Sequence, residues 1–293
     1  MTSAEMDGDG RKIKRNELVF MKSSVLMSVY REDNPQHLML ALNSIYNDQT
    51  VKPDEIIVVF DGELTDELNA VLNEFQDGKE NFVHYYPQAE NKGLGEALRI
   101  GSEHCHGELI FRMDADDISV PTRFEQQLTY METHPEIDVL GGIIQEFKFS
   151  TDDVMRARVC PQNHDDIVKM CKYRNPMNHV TVCIRKKALV KTGGYLPLPL
   201  MEDYYLWVRM IGDGYRLANI PDVVVYVRIG NGFISRRSEK KQIKSRWLIQ
   251  KCMMRNHIIH PFGAVANIVS FAAFVYCPIA LQRLVYEKFL RKD

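Results

Sequence analysis

Four short apolar runs, rich in branched residues, alternate with helix-like segments through the first half of the chain. They cover residues 25–29, 56–60, 83–86 and 109–113. Two parallel strands need a long crossover connection, usually a helix, whereas antiparallel strands are often joined by tight turns. The alternation therefore predicts an α/β fold, in which helices cover the faces of a parallel sheet.

The segments between these runs carry the signals of helices. Asn34 is a suitable cap, Pro35 fits the first helical position, and apolar residues recur at helical spacing from Leu38 onward. The same kind of pattern predicts further helices over residues 66–75 and 94–104.

The second half of the sequence is less regular. The stretch "MNHVTVCIRKKALVKTGGY" predicts a strand, a short helix and a glycine turn. The stretch "MEDYYLWVRMIGDGYRLANIPDVVVYVRIG" predicts a helix followed by a strand hairpin or an edge strand.

Three carboxylates, Asp114, Asp116 and Asp117, directly follow the fourth apolar run. In an open parallel sheet, ligands gather at the carboxyl ends of the strands, so these acids should share a rim with residues 28–30 and Asp61. Like charges this close raise each other's pKa, and a cation is expected beside them. Mg²⁺ or Mn²⁺ prefers oxygen ligands and often takes only one or two protein carboxylates beside phosphate oxygens. The sequence therefore predicts a metal and phosphate site at this rim.

Charge, cysteines and the N-terminus restrict the classes of protein that fit. The formal net charge is −2, which gives the molecule no general attraction for nucleic acid. The six cysteines form no C-x-x-C pair, a pattern that suits a reducing compartment better than a disulfide framework. No apolar signal segment stands near the start, so we expect a cytoplasmic protein, with residues 1–21 as a disordered extension.

The composition changes after residue 234. Residues 235–256 contain eight Lys or Arg against one acid, and an apolar run covers residues 264–281. Basic flanks around an apolar segment favour an anionic cytoplasmic membrane surface, with the run lying in its plane, re-entering it or crossing it. The other interpretation is a helix packed into the protein's own core or a dimer interface. We therefore expect a main domain over 22–234 and a helical membrane-association region over 235–293.

Taken together, four pieces resemble an inverting family 2 glycosyltransferase. They are "VLMSVYRED", "EIIVVFDGE", "NKGLGEALRIGSEHCHGELIFRMDADD" and "MEDYYLWVRM", in the family's order and across about residues 22–230. These sequence motifs are most similar to those of bacterial enzymes that build O-antigen, capsule or exopolysaccharide, such as the amylovoran type. The resemblance implies the GT-A fold, with a mixed, mainly parallel sheet, and a UDP-sugar as donor.

The resemblance also implies which residues hold the nucleotide. Ser28 and Tyr30 would lie against the uridine, and Asp61 would bind the uracil or the ribose. Many members carry an arginine one position before Arg99 of this chain, and one residue turns a helix by about 100°. Lys92, on the preceding turn, is therefore the better candidate for the cation that faces the diphosphate.

The acids receive their roles from the same resemblance. Asp114 and Asp116 would lie by the ribose and diphosphate, and Asp116 and Asp117 would hold Mn²⁺ or Mg²⁺. Asp203 would be the base that takes the acceptor's proton, with Glu202 beside it binding or orienting the acceptor. Inversion at the anomeric carbon follows from such a direct displacement.

The implied reaction transfers a hexose of the glucose or galactose type to a sugar on a polyprenyl diphosphate, forming a β-linkage. The acceptor and the basic, apolar C-terminal region place the enzyme at the cytoplasmic face of the plasma membrane. One alternative is a membrane-associated sugar-nucleotide binding protein without turnover, which would need no base. The other is a nucleotidyltransferase, although "SVYREDNPQ" lacks the glycine-rich phosphate loop usual after the first strand of those enzymes.

Overall fold

A computed structural model describes residues 20–229 and 241–276. Its strands form one mixed sheet in the order β3-β2-β1-β4-β8-β6-β9-β5, with β7 alongside β6. The strands are β1 Ser23–Val29, β2 Glu55–Phe60, β3 Val83–Pro87, β4 Leu109–Met113, β5 Ile118–Ser119, β6 Val139–Phe147, β7 Val154–Arg158, β8 Cys183–Arg185 and β9 Leu217–Arg228. The helices are α1 Pro35–Ile45, α2 Asp66–Gln76, α3 Leu94–His104, α4 Arg123–Thr133, α5 His164–Cys171, α6 Lys186–Lys191, α7 Glu202–Gly212, α8 Lys241–Arg255 and α9 Pro261–Tyr276.

The four apolar runs form the parallel half of the sheet, as predicted. Strand β1 pairs in parallel with both β2 and β4, and β2 pairs in parallel with β3. Strands β1, β2 and β4 are buried on both faces at most positions, which explains why their sequences are continuous apolar runs without alternation. The predicted α/β class is confirmed.

Local signals set the ends of the first helices. The Asn34 side chain accepts hydrogen bonds from the backbone N–H groups of Gln36 and His37, and Pro35 occupies the first turn of α1. Helix α3 covers the predicted residues 94–104. Both boundaries are confirmed, and for α1 the reason is a capping side chain that is visible in the sequence.

The prediction for the last strand was wrong. Residues 217–228 form the single strand β9, neither a hairpin nor an edge strand, because β9 lies between β6 and β5. The register between β6 and β9 shifts near Pro221, which has no N–H to donate to the ladder. A proline and an acid in mid-strand resembled a turn, but here they mark a bulge.

The sheet is the middle of three layers. Helices α1, α2 and α4 pack against one face, and α3, α6 and α7 pack against the other. Gly101 of α3 allows close contact, since a Cβ there would lie 2.3 Å from Leu26 Cδ1 and 2.8 Å from Val59 Cγ2. This contact places the first turn of α3 at the carboxyl ends of β1 and β2.

The C-terminal helices pack onto the main domain. Ile249 and Met253 of α8 are buried against Tyr204 and Val208 of α7, and Phe271 of α9 joins the same cluster. Within the described residues, no helix combines the length and the apolar character needed to span a bilayer. The predicted disordered extension lies outside the described residues, apart from 20 and 21, and so do residues 235–240 and 277–293 of the predicted C-terminal region.

We expect Gly101→Ala to lower the free energy of unfolding by about 1–3 kcal/mol, because the added methyl overpacks the contact between α3 and the sheet. Chemical denaturation measures this change. Glu103→Ala, on the same helix with a largely exposed side chain, is the control and should change stability by less than about 0.5 kcal/mol. Equal stability of both variants would contradict the packing described for α3.

Candidate active site

One cleft of about 650 Å³ opens at the carboxyl ends of β1, β2 and β4. Parallel strands end at the same edge of a sheet, and the first turn of α3 and the loop before α7 close the two sides. The cleft brings together nearly all residues singled out in the sequence. Those that line it are Ser28, Tyr30, Asp61, Lys92, Asp114, Asp116, Asp117 and Glu202.

The acids after β4 form an electrostatically strained cluster. Asp117 is 3% exposed, and its Oδ1 accepts a hydrogen bond of 2.8 Å from the backbone N–H of Arg228. Burial, followed by the charges of Asp114 and Asp116, raises the pKa of Asp117 well above its usual range. Burial and Asp114 also raise the pKa of Asp116, to about 6. A cation bound beside these carboxylates would reduce their mutual repulsion and so stabilise their charged forms.

This cluster suits a metal ion that takes only one or two of its ligands from the protein and the others from phosphate and water. Among residues 20–229 and 241–276, no three acidic, histidine or cysteine side chains form a ready-made metal cage. Mg²⁺ and Mn²⁺ do not need one at a phosphate site, because one or two carboxylates are enough beside phosphate and water oxygens. Asp116 and Asp117, which both line the cleft, therefore fit such an ion.

Arg112 supplies a buried positive charge beneath the cleft. Its neighbours Phe111 and Met113 face the layer of α1 and α4, so the Arg112 side chain points to the layer of α7. Arg112 is 3% exposed, and its Nη2 forms an ion pair with Asp114. Burial disfavours the guanidinium charge, but Asp114 keeps the pKa of Arg112 above its ordinary value.

Two further acids stand at the start of α7. Glu202 faces the cleft, and burial together with Asp203 raises the pKa of Glu202 to about 7. Asp203, the next residue, is absent from the cleft lining. Its Oδ2 accepts a 2.5 Å hydrogen bond from Asn175, and its Oδ1 accepts one of 2.7 Å from the Tyr204 N–H. Burial raises the pKa of Asp203, and Arg112 opposes the rise in both acids.

Asp61 fixes the turn that leads into α3. It is 5% exposed, and its carboxylate accepts hydrogen bonds of 2.8 Å from the Lys92 N–H and 3.0 Å from the Gly93 N–H. Gly93 has a φ of +88°, a conformation that favours glycine. Each carboxylate oxygen can accept more than one hydrogen bond, so Asp61 retains capacity toward the cleft.

The two candidate cations near α3 have different surroundings. Lys92 lines the cleft at the N-terminus of α3, where the helix dipole also favours an anion. Arg99 is not among the cleft residues, and its guanidinium pairs along the helix with Glu96 at 2.8 Å and Glu103 at 2.6 Å. The structure therefore gives Lys92, but not Arg99, a position from which it could reach a diphosphate.

The structure adds two charged residues that were not singled out in the sequence. Asp33 lines the cleft and accepts a 2.9 Å hydrogen bond from the Tyr30 N–H, which closes the turn after β1. Burial raises the pKa of Asp33 to about 7. Arg228 lines the cleft from the carboxyl end of β9. The strand-end rule that identified Asp61 would also have identified Arg228, had β9 been recognised as parallel to β4.

Comparison with known proteins agrees with this geometry. Residues 24–194 match the sequence model of the family described as Glycosyl transferase family 2. An uncharacterized glycosyltransferase of Haemophilus influenzae is 41% identical, covering 93% of this chain and 100% of that protein. The amylovoran biosynthesis glycosyltransferase AmsE of Erwinia amylovora is 37% identical over 90% of this chain and 98% of its own length.

A third relative has a more informative name. It is the UDP-Gal:alpha-D-GlcNAc-diphosphoundecaprenol beta-1,3-galactosyltransferase of Escherichia coli, 33% identical over 92% of this chain and 97% of that protein.

Two solved structures share the fold. The Staphylococcus aureus protein TarS in complex with UDP-GlcNAc has a TM-score of 0.64 at 17% identity, covering 92% of this chain and 76% of that one. The Pyrobaculum calidifontis mannosyltransferase PcManGT with GDP-Man and Mn²⁺ has a TM-score of 0.62 at 15% identity, covering 92% and 80%. The expected GT-A fold is confirmed.

We expect Asp117→Asn to stabilise the ligand-free protein at pH 8, by on the order of 1 kcal/mol or more, because it removes a buried charge that has no full counter-ion. The amide oxygen can still accept the Arg228 N–H. A carboxyl whose pKa is raised in the folded state loses stability as pH rises through that pKa. The gain should therefore shrink as the pH falls from 8 to 5.

Thermal unfolding in a metal chelator, at pH 5 and pH 8, measures this difference. Asp153→Asn, at an exposed position outside the cleft, is the matched control and should leave the melting temperature nearly unchanged. A melting temperature for Asp117→Asn that is equal to or below the wild-type value at pH 8 would show that the cluster is not strained.

Proposed function

The chain belongs to glycosyl transferase family 2, and on that premise we propose that it moves a hexose from a UDP-sugar to a lipid-linked sugar. The donor sugar is of the glucose or galactose type, and the acceptor sugar is carried on a polyprenyl diphosphate. The product is a β-linkage in a bacterial surface polysaccharide such as an O-antigen, capsule or exopolysaccharide. The names of the Erwinia and Escherichia relatives support this substrate class.

The observation that carries the proposal is the convergence of two acid groups on one cleft. Asp116 and Asp117 come from the end of β4, and Glu202 comes from the start of α7, yet all three line the same 650 Å³ cavity. A transferase needs one acidic group to hold a cation at the leaving diphosphate and another to activate the acceptor hydroxyl. The cleft offers both within one enclosed volume.

On the donor side, Asp116 and Asp117 hold Mn²⁺ or Mg²⁺, which neutralises charge on the diphosphate when bound. Lys92 and the N-terminus of α3 add positive potential on the neighbouring wall. Ser28, Tyr30 and Asp61 lie at the ends of β1 and β2 and bind the uridine. Aromatic stacking suits Tyr30, and Asp61 can accept a hydrogen bond from uracil or ribose.

On the acceptor side, Asp203 takes the proton from the attacking hydroxyl, and Glu202 orients the acceptor. The raised pKa of both acids supports a role as a base, since a carboxyl whose pKa is raised accepts a proton more readily than an ordinary one. The hydrogen bond from Asn175 fixes the Asp203 carboxylate. Attack from the face opposite the diphosphate inverts the anomeric carbon.

The two alternatives from the sequence have less support. The family match and the transferase names of the relatives do not favour a nucleotidyltransferase. A binding protein without turnover would have no use for the buried pair of Glu202 and Asp203, because burying two adjacent acids is unfavourable. The chain retains both acids, and Glu202 lines the cleft.

Association with the cytoplasmic face of the plasma membrane is part of the proposal. Helix α9 leaves Phe262, Val265 and Val269 exposed, at 81%, 51% and 62%. Exposed apolar side chains along one helix suit the boundary of a lipid layer. The adjoining helix α8 is rich in Lys and Arg, which attract anionic headgroups. A lipid-linked acceptor would be presented at this surface.

We expect Asp203→Asn to bind UDP as the wild type does but to lower the transfer rate by roughly 10²–10⁴-fold, the usual contribution of a positioned base. Mass spectrometry measures transfer from a panel of nucleotide sugars, with Mn²⁺, to a GlcNAc-diphosphate lipid, and calorimetry measures UDP binding. Asp213→Asn, at the exposed end of the same helix, is the control and should retain full activity. Equal rates for Asp203→Asn and wild type would remove Asp203 from the mechanism.

We expect Val269→Glu to weaken binding to phosphatidylglycerol vesicles by several-fold, because it places a charge on the apolar face of α9. Sedimentation with vesicles of phosphatidylglycerol or phosphatidylcholine measures the binding, and the wild type should prefer the anionic lipid. Val159→Glu has nearly the same exposure, 60% against 62%, and should bind as the wild type does. A similar loss in both variants would argue against docking through α9. Point substitution is preferable to truncation, because Phe271 of α9 packs in the core cluster of α7 and α8.

A further inference from the structure

The cleft wall beside the acid pair has an unusual conformation at Leu200. Residues 197–200, Pro-Leu-Pro-Leu, line the cleft next to Glu202. Leu200 has a φ of 61°, in the left-handed region, and its side chain is 49% exposed. For a leucine this backbone conformation is unfavourable, and such strain persists only where the surrounding structure imposes it.

Contacts on both sides hold this wall in place. Leu198 and Met201 are buried in the cluster formed with α8, and Ser245 Oγ of α8 donates a 3.2 Å hydrogen bond to the Pro199 carbonyl. On the α3 side, a Cβ at Gly95 would lie 3.3 Å from Pro197 Cα. The loop is therefore clamped between α3 and α8, and this holds the Leu200 side chain out in the cleft.

The position of Leu200 identifies the group that it meets. Leu200 is two residues before Glu202, which the proposed function assigns to the acceptor, whereas Asp116 and Asp117, assigned to the metal and the diphosphate, follow β4. A sugar ring has a polar edge of hydroxyl groups and an apolar face of C–H groups. An exposed leucine side chain can pack against the apolar C–H face, but it cannot form hydrogen bonds with the hydroxyl edge.

We propose that Leu200 packs against the apolar C–H face of the acceptor sugar and so turns its hydroxyl edge toward the acid pair. This inference rests on the proposed function, because it assigns a contact to the acceptor of that reaction. It makes Leu200 a determinant of acceptor binding that takes no part in proton transfer. The strained backbone is the structural consequence of presenting an apolar side chain at this point.

The test compares Leu200→Gly with wild type, using UDP-galactose, Mn²⁺ and a GlcNAc-diphosphate lipid. Glycine adopts a φ of 61° without strain, so the variant should unfold at the same or a higher denaturant concentration. Loss of the apolar contact should raise the KM for the acceptor by roughly 5- to 10-fold. The KM for UDP-galactose should stay within about twofold of the wild-type value, because Leu200 does not touch the donor.

Leu40→Ala is the matched control, because Leu40 is 48% exposed and lies on α1. It should leave both KM values unchanged, whereas Leu200→Met should restore most of the acceptor affinity. The assay is run with acceptors that carry a short alkyl chain and a polyprenyl chain. Equal effects on both acceptors support a contact with the sugar, and an effect confined to the polyprenyl acceptor assigns Leu200 to the lipid and overturns the proposal.

An unchanged acceptor KM in an active Leu200→Gly variant would also overturn the inference, while leaving the proposed function intact. If the wild type transfers no hexose from any UDP-sugar to either lipid-diphosphate acceptor, the proposed function fails and the inference fails with it. Reduced stability of Leu200→Gly without a change in acceptor KM would mean that the leucine serves packing only.

Discussion

The site depends on one buried cation, Arg112. Its guanidinium is paired with Asp114, and its charge opposes the rise in the pKa of Glu202 and Asp203 that burial causes. Within the described residues, Arg112 Nε and Nη1 have no hydrogen-bond partner. A buried charge of this kind is stable only when opposite charges surround it. Arg112 therefore links the acids at the end of β4 to those at the start of α7, although 85 or more residues separate them in the sequence.

Each wall of the cleft is built by a different part of the fold. The parallel strands supply the rim, and their buried, β-branched sequences fix the register that places Ser28, Asp61 and Asp114 side by side. Helix α3 approaches the sheet closely because Gly101 has no side chain. Helix α8 supports the opposite wall through α7, so the basic C-terminal region that the sequence set apart contributes to the shape of the cleft. A membrane surface that bound α9 would thus lie next to elements that hold the acceptor wall.

The sequence predicted local features well and long-range ones only in part. Asn34 and Pro35 defined the start of α1, and the limits of α3 were predicted to the residue, because caps and periodicity are local signals. Eight of the nine predicted site residues line one cleft, because the strand ends that carry most of them share an edge, whereas Asp203 does not line it. Strand β9 was misread because Pro221 resembles a turn, and with it Arg228 was missed. The link through Arg112 could not be predicted, because it depends on which face of β4 meets α7.

In the proposed mechanism, a metal ion held by Asp116 and Asp117 and the acid pair of α7 act on the same bound nucleotide sugar. The most direct test is a crystal structure with UDP and Mn²⁺, in which anomalous scattering locates the metal. We expect a manganese peak at Asp116 or Asp117, uridine against Tyr30 and Asp61, and the diphosphate facing Glu202 in the cleft. A manganese peak elsewhere, or UDP bound away from this rim, would contradict it.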